Sequence, residues 1–313
     1  MPGTIYLTRE RGECQAAYTT ADPGWLSSSG CSWDLCRPRH NAHERGSTDI
    51  NLAFTQHAGP IVGDQQDALL VTGDLYQLAD LPVHQVAGET AGGYCAVADG
   101  VASSPCPQRA SRAVLEALRG LDAGQEALLQ NGWIGPRLIR RHVHARLCRQ
   151  LARDRRTRGS ASTLALLQWR AGRFSVLNVG DSRVYRIDRD GRWQRLSRDH
   201  TYFESMVERG EIARDQSVGQ LYHDLEHMLT ADEEEDDFAV HWRQGEWALG
   251  DTFLLCTDGL HDTLGDTRLE AIYRAERPVD EQAALYREAV LDAGAPDNVS
   301  LILARIASPA LPV

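Results

Sequence analysis

The chain has 313 residues, of which 42% are apolar and 25% charged, and its formal net charge is −11. These values are typical of one large globular domain. The acidic balance argues against a general nucleic-acid binder, which needs basic residues against the phosphate backbone. The apolar runs are strand-length, far below the roughly 20 residues of a membrane helix. We therefore expect neither nucleic acid nor a membrane as a partner.

The first 48 residues are rich in Gly, Ser, Pro, Cys and charges and show no sustained hydrophobic period. We interpret residues 1–48 as an irregular N-terminal extension whose composition is also compatible with disorder, and residues 49–313 as the folded domain. Residues 1–13 lack the apolar segment of a secretory signal, which predicts a cytoplasmic location. The seven cysteines form no C-x-x-C pair and indicate reduced thiols; Cys31 and Cys36 could bind a metal, but no second pair accompanies them.

From Ile50 onward the hydrophobic pattern becomes regular. Strands are predicted at residues 51–55, 68–72, 94–98, 163–169, 174–179, 183–187, 192–196, 253–256 and 300–305. Helices are predicted at residues 108–118, 136–153, 202–208, 268–275 and 281–292. Asp190-Gly191 is a strong hairpin signal. Because strands come in runs and helices in pairs, without regular βαβ alternation, the pattern predicts a layered α+β fold.

Two charged runs and two histidine pairs have simpler interpretations than a site. Residues 137–158 carry nine arginines on a nearly helical apolar period, which predicts an amphipathic helix with a solvated basic face. The six consecutive carboxylates at 232–237 repel one another and predict an exposed loop. His142 and His144 face different directions on a helix, and His223 and His227 are interpreted as surface histidines.

Five aspartates lie at the ends of predicted strands: Asp67, Asp99, Asp181, Asp258 and Asp297. All five could meet at one sheet edge, and three of them precede Gly or Asn, as in a sharp turn. Carboxylates without His or Cys select Mg²⁺ or Mn²⁺ rather than Zn²⁺. Two cations sharing a carboxylate can activate a water and stabilise an in-line displacement, chemistry that suits phosphate monoesters. The pattern therefore predicts a metal-dependent phosphohydrolase.

Eight short motifs support this prediction, and they occur in a fixed order. They are QDA at 66–68, VADG at 97–100, GSAST at 159–163, NVGDSRVY at 178–185, LSRDH at 196–200, MVERGEI at 206–212, LLCTDGL at 254–260 and PDNVS at 296–300. Together they resemble the PPM/PP2C family of metal-dependent Ser/Thr protein phosphatases, in its bacterial form. The resemblance covers about residues 50 to 306.

The resemblance implies a four-layer αββα sandwich, with two mainly antiparallel sheets between helix pairs and the metals at one end. It implies that Asp99 bridges two cations, Mn²⁺ or Mg²⁺, and that Asp258 and Asp297 complete one of the two sites. Asp67 and the carbonyl of Gly100 would serve the other, and Asp181 with Asp258 would hold a third, weaker cation. The bridging water would attack phosphorus directly, with Asp67, Asp99, Asp258 and Asp297 as the catalytic set.

The resemblance also implies partners and a substrate-facing segment. The substrates would be proteins that carry phosphoserine or phosphothreonine, and the partner would be a cognate Ser/Thr kinase. In some relatives such a pair controls type VI secretion. Residues of about 200–237 would form a variable flap beside the site. Val62 stands where the family has a phosphate-gripping Arg, so the phosphate-binding residue is unknown. Two alternatives stay open: a catalytically silent phosphoprotein-binding or regulatory relative, and a small-molecule phosphohydrolase.

Overall fold

The computed structural model describes residues 49–121, 128–216 and 218–307. The predictions for residues 1–48, including Cys31 and Cys36, and for the last six residues of the domain lie outside this part. Among the described residues, none of the helices combines the length and the apolar character that a membrane span requires.

Twelve strands form two six-stranded sheets in which neighbouring strands are antiparallel. Sheet A has the order β10-β9-β13-β14-β1-β4, with β1 Asp49–His57, β4 Asp80–Glu89, β9 Arg183–Ile187, β10 Trp193–Arg195, β13 Thr252–Cys256 and β14 Val299–Ala307. Sheet B has the order β12-β8-β7-β5-β2-β3, with β2 Ala68–Val71, β3 Asp74–Tyr76, β5 Gly93–Ala98, β7 Leu164–Arg170, β8 Arg173–Val179 and β12 His241–Glu246. Two further short strands, β6 Ala161–Ser162 and β11 Leu229–Thr230, pair with each other.

Helices cover the outer face of each sheet. Beside sheet B lie α1 Pro107–Arg119, α2 Pro136–Leu138, the π-helical turn Ile139–His144 and α3 Ala145–Leu151. Beside sheet A lie α5 Asp258–Ile272 and α6 Val279–Asp292. The short helix α4 Tyr202–Glu208 and a 3₁₀ turn Gln220–His223 lie within residues 200–237. The architecture is the predicted four-layer α+β sandwich.

The buried side chains explain why the strands read as continuous apolar runs. Along β2, Ala68 and Leu70 pack against the helices, whereas Leu69 and Val71 pack between the sheets. Successive side chains of a strand point to opposite faces, and both faces of this strand are buried. Burial on both sides therefore replaces the alternation of apolar and polar residues that a solvent-facing sheet would show.

Two sequence predictions need correction. The predicted strands omit β3, β4 and β12, which lie at or next to sheet edges and carry many exposed or half-buried polar residues. The helix predicted to begin at Arg268 begins at Asp258, directly after β13, and Gly265 interrupts it with a positive φ of 72°. The acidic run forms a loop that is exposed from Glu233 to Asp237, as predicted.

Candidate metal centre

The five predicted aspartates follow or precede strands at a common end of the sandwich. Asp67 precedes β2, Asp99 follows β5, Asp181 lies between β8 and β9, Asp258 begins α5 after β13, and Asp297 lies two residues before β14. Within sheet B, Ala68 pairs with Ala98, and within sheet A, Cys256 pairs with both Arg183 and Leu301. The strand ends that carry the aspartates therefore lie at the same end of the strands in each sheet. We call this end of the sandwich, with Asp67, Asp99, Asp181, Asp258 and Asp297, the aspartate edge.

Thr257 connects the two sheets at this edge. Its Oγ1 donates a hydrogen bond to Oδ2 of Asp67 at 2.9 Å and accepts one from the backbone N–H of Ser300 at 3.1 Å. On the other side, Gln56 Nε2 donates to the backbone carbonyl of Asp67 at 3.3 Å and to Ser300 Oγ at 3.0 Å. Asp67 is thus held in place by residues of sheet A, although it belongs to sheet B.

A second hydroxyl, that of Thr163, joins Asp99 to Ser182, the residue after Asp181. Thr163 Oγ1 accepts a hydrogen bond from the backbone N–H of Asp99 at 3.0 Å and lies 2.7 Å from Ser182 Oγ. On α5, Nε2 of His261 lies 3.2 Å from the backbone carbonyl of Asp181, in the position of a donor. His261 shares the face of Asp258, three residues earlier. The sequence motifs include Thr163 and Thr257 without indicating a role for either, and none of them contains His261.

The glycines after Asp99 and Asp258 are explained by close packing. A Cβ on Gly100 would lie 2.3 Å from the backbone O of Pro107, and one on Gly259 would lie 2.0 Å from the backbone O of Asn298. Neither glycine has a positive φ. The sequence analysis explained these glycines by a sharp turn, and that explanation is wrong. Both positions need glycine because another backbone segment passes directly over them.

Asn298, after Asp297, also has a structural role that the spacing alone did not reveal. Its Oδ1 accepts a hydrogen bond from the backbone N–H of Gln66 at 2.6 Å, and its Nδ2 donates to the carbonyl of Ala58 at 2.6 Å. The backbone N–H of Asn298 donates to Oδ1 of Asp297 at 2.7 Å. One amide side chain therefore ties the β1–β2 loop, which leads to Asp67, to the segment that carries Asp297.

The carboxylates are close enough to disturb one another. Burial, followed by the charge of Asp258, raises the pKa of Asp67 to about 7. Burial and then Asp258 also raise the pKa values of Asp99, Asp181 and Asp297. Asp67 is fully buried, Asp99, Asp181 and Asp258 are half-buried, and Asp297 is exposed. Asp258 is therefore the charge that the other four share.

The donor set fits hard divalent cations. Oδ1 of Asp67 is buried without a hydrogen-bond partner among the described residues, and such a group normally has one. Crowded carboxylates repel one another unless a proton or a cation lies between them, and oxygen donors without thiolate or imidazole suit Mg²⁺ and Mn²⁺. Within the described part of the chain, no three acidic, His or Cys side chains already form a complete ligand set. The coordination itself stays a prediction.

Val62 lies half-buried in the loop between β1 and β2, and its carbonyl accepts a hydrogen bond from the N–H of Asp64 at 2.9 Å. An apolar side chain there cannot bind a phosphate, so the residue that would do so stays unknown. His142 and His144 have separate surroundings, because they contact the carbonyls of Ala117 and Thr230, respectively. They do not form a shared ligand site.

Comparison with curated proteins supports the resemblance. The chain is 29% identical over 218 residues to the serine/threonine protein phosphatase PstP of Mycobacterium tuberculosis, an alignment that covers 67% of this chain and 40% of PstP. The chain thus spans less than half of that relative's length.

Two solved structures share the fold. The catalytic domain of PstP in complex with two manganese ions has a TM-score of 0.63 at 24% identity, covering 83% of this chain and 99% of that one. PppA, described as a key regulatory component of the type VI secretion system in Pseudomonas aeruginosa, has a TM-score of 0.61 at 23% identity, covering 84% and 100%. The sandwich therefore has counterparts among solved bacterial structures.

A family model described as protein phosphatase 2C matches residues 83–292. The matched span contains Asp99, Asp181 and Asp258, whereas Asp67 and Asp297 lie outside it. Those two are brought to the same edge by the pairing of β2 with β5 and of β14 with β13. Since the match covers more than half of the chain and agrees with the fold and the aspartate edge, this chain belongs to the protein phosphatase 2C family.

Proposed function

We propose that the protein is a metal-dependent phosphatase that hydrolyses phosphoserine and phosphothreonine in other proteins. The observation that carries the proposal is the convergence of Asp67, Asp99 and Asp258 at one edge of the sandwich, where burial and then the charge of Asp258 raise the pKa of both neighbours. Family membership supports the same reaction. Because the chain covers only part of its curated relatives, the activity and the substrates are proposals.

The ligand roles follow the family pattern. Asp99 would bridge two cations, Mn²⁺ or Mg²⁺; Asp258 and Asp297 would complete one site, and Asp67 with the Gly100 carbonyl the other. Asp181, together with Asp258, would hold a third. When bound, the cations would supply Lewis acidity and a water activated for direct attack on phosphorus.

The remaining residues of the edge would hold these ligands in position. Thr257 and Gln56 fix the carboxylate and the carbonyl of Asp67, and Thr163 fixes the backbone of Asp99. His261 contacts the carbonyl of Asp181 from the same helix that begins with Asp258. Such supporting hydrogen bonds orient metal ligands and reduce the reorganisation that binding requires. The edge is therefore built to keep carboxylates close despite their repulsion.

A second candidate function is a catalytically silent relative that binds phosphoproteins or regulates a kinase. The observation that favours it is Val62, because a bidentate Arg contact to phosphate is among the stronger charge-assisted hydrogen bonds. The experiment that separates the two functions is phosphate release from phosphothreonine peptides and from p-nitrophenyl phosphate, with Mn²⁺ and with EDTA. Release that needs Mn²⁺ supports the phosphatase. Cation binding without any release would support the silent relative, and release from the small ester alone would indicate a small-molecule phosphohydrolase.

The partners follow from the reaction. A phosphatase of this class would reverse a cognate Ser/Thr kinase in the cytoplasm, and the likeness to PppA extends the proposal to control of type VI secretion. Residues of about 200–237 would act as the flap that contacts the substrate. They contain α4, the 3₁₀ turn and the acidic loop 232–237. Dephosphorylation of a purified autophosphorylated kinase by this protein would test the pairing.

A further inference from the structure

The helical layer beside sheet B carries a charge opposite to that of the whole molecule. Residues 107–121 and 128–158 contain twelve arginines but only two carboxylates, Glu116 and Asp154, a net charge of +10, whereas the chain carries −11. By contrast, α5 and α6 on the other side contain more carboxylates than arginines. Charge segregated in this way produces a local field that attracts anions.

One end of this basic layer lies next to the candidate metal centre. Gly100, which follows Asp99, forms a bridge with Ser162. Six residues later, the N–H of Cys106 donates to Ser160 Oγ at 3.1 Å, and Cys106 Sγ lies 3.5 Å from the carbonyl of Arg156. The loop of residues 152–160 is therefore attached to the segment that leaves the metal centre.

Three arginines of this loop, Arg153, Arg155 and Arg156, have no acidic partner among the described residues, and the last two lie nearest to the contact with Cys106 in the chain. Arg155 and Arg156 are exposed, and within the described ranges neither forms an ion pair with Asp or Glu. Arg158 differs, because it pairs with Asp232 at 2.9 Å. The guanidinium groups of Arg155 and Arg156 are thus available for a carboxylate or phosphate, which Arg binds through a planar fork of donors.

We propose that Arg155 and Arg156 form a docking site for acidic residues that flank the phosphorylated residue of a protein substrate. This inference rests on the proposed phosphatase function and specifies its substrate class. The contacts with Cys106 place the site on the segment that follows Asp99-Gly100, on the side of the candidate metal centre rather than on a remote face. Val62 provides no positive charge in the β1–β2 loop to bind the phosphate. Arg155 and Arg156 would instead bind the acidic residues on either side of the phosphorylated residue.

The test compares the full chain with Arg155→Gln/Arg156→Gln and with a matched control, Arg189→Gln/Arg192→Gln, in the exposed β9–β10 turn at the opposite end of the strands. Substrates are a phosphothreonine peptide with three Glu residues on each side, the same peptide with Gln in place of Glu, and p-nitrophenyl phosphate, all with Mn²⁺. We expect the Arg155/Arg156 variant to lose about fivefold to tenfold in kcat/KM on the Glu peptide only, through KM, with the loss diminishing at high salt.

Peptide binding in EDTA, followed by fluorescence anisotropy, keeps the docking site testable if no substrate is hydrolysed. In that case the proposed function fails, whereas a Kd for the Glu peptide that rises about fivefold to tenfold only in the Arg155/Arg156 variant still supports the docking site. Equal use or binding of the Glu and Gln peptides by the native protein would overturn it. An equal loss in the Arg189/Arg192 variant, or preferential binding of anionic phospholipid vesicles or duplex DNA over the Glu peptide, would also overturn it.

Discussion

The hydroxyl of Thr257, at the end of a strand in sheet A, donates a hydrogen bond of 2.9 Å to the carboxylate of Asp67, which begins a strand in sheet B. The two residues are 190 positions apart in the chain, and Asp67 is completely buried. Together with the hydrogen bond from Gln56 to the Asp67 carbonyl, this contact links the two sheets at the point where the aspartates meet. It therefore couples the packing of the sandwich to the geometry of the candidate metal centre.

Replacing Thr257 by Val should weaken both packing and metal binding. Val has a similar shape but leaves Oδ2 of Asp67 and the N–H of Ser300 without their partner, a loss that costs about 1–3 kcal/mol in a buried site. We expect a lower free energy of unfolding in urea and a several-fold weaker apparent affinity for Mn²⁺. Thr267→Val, at an exposed position of α5, is the control. If both variants bound Mn²⁺ like the native protein, Thr257 would have no role at the centre.

Replacing Val62 by Arg should strengthen substrate binding. An Arg at this position could form a bidentate contact with the substrate phosphate, and a charge-assisted pair of this kind corresponds to about a tenfold change in affinity. We expect KM for p-nitrophenyl phosphate to fall by about that factor. Ile61→Arg adds the same charge one residue earlier, at a site that is 73% exposed, and should have little effect. An unchanged KM in Val62→Arg would show that the loop does not face the phosphate.

Removal of divalent cations should destabilise the protein, and more so at pH 8 than at pH 5. Without metal, Asp67 has a pKa raised to about 7 by burial and by Asp258. The folded state therefore holds its proton more tightly than the unfolded chain, and this contribution to stability is lost as the pH rises from about 4 to 7. We expect Mn²⁺ to raise the melting temperature by about 5–10 °C at pH 8. If Mn²⁺ raised the melting temperature at pH 5 by as much or more, the claim that the carboxylates repel one another without metal would be wrong.

His200 should make the protein sensitive to acid. Its ring is buried, Nδ1 accepts a hydrogen bond from the N–H of Gly180 at 3.1 Å, and burial followed by the charge of Arg198 lowers its pKa to about 3. In the unfolded chain, the His200 ring takes up a proton near pH 6.5, whereas in the folded protein it stays neutral down to about pH 3. The stability that the neutral ring provides is therefore complete above pH 6.5 and is lost as the pH falls toward 3.

The matched variant is His200→Asn, whose Oδ1 can accept the same hydrogen bond without titrating. Between pH 7 and pH 4, the native protein should lose about 3 kcal/mol of unfolding free energy relative to this variant, in parallel urea titrations. Parallel pH profiles for the two proteins would mean that His200 titrates normally in the folded state.

Much of the fold could be predicted because its central strands are buried on both faces. Strands such as β7 and β13 read as short apolar runs bounded by turns, which is a strong signal. The edge strand β4 was missed because its residues are largely exposed and include Pro82, which the interior of a sheet excludes. Its pairing with β1 depends on tertiary packing that a local pattern does not contain.

The candidate site could be predicted in part for a similar reason. An aspartate at a strand end is visible in the sequence, and strand pairing then brings Asp67, Asp99 and Asp258 to one edge. The residues that hold them were not visible, because Thr257 and His261 bond to groups far away in the chain. Threonine and histidine also have many ordinary roles, so only the three-dimensional contacts distinguish them.

The central claim, that the aspartate edge performs metal-dependent phosphate hydrolysis, depends most on Asp258, whose charge reaches the other four carboxylates. The decisive measurement is Mn²⁺-dependent phosphate release from a phosphothreonine peptide by the native protein, Asp258→Asn and Asp99→Asn, with Asp190→Asn in the exposed β9–β10 turn as the matched control. We predict a loss of at least ~100-fold in the first two variants and none in the control. Native-like release by Asp258→Asn would contradict the proposed site.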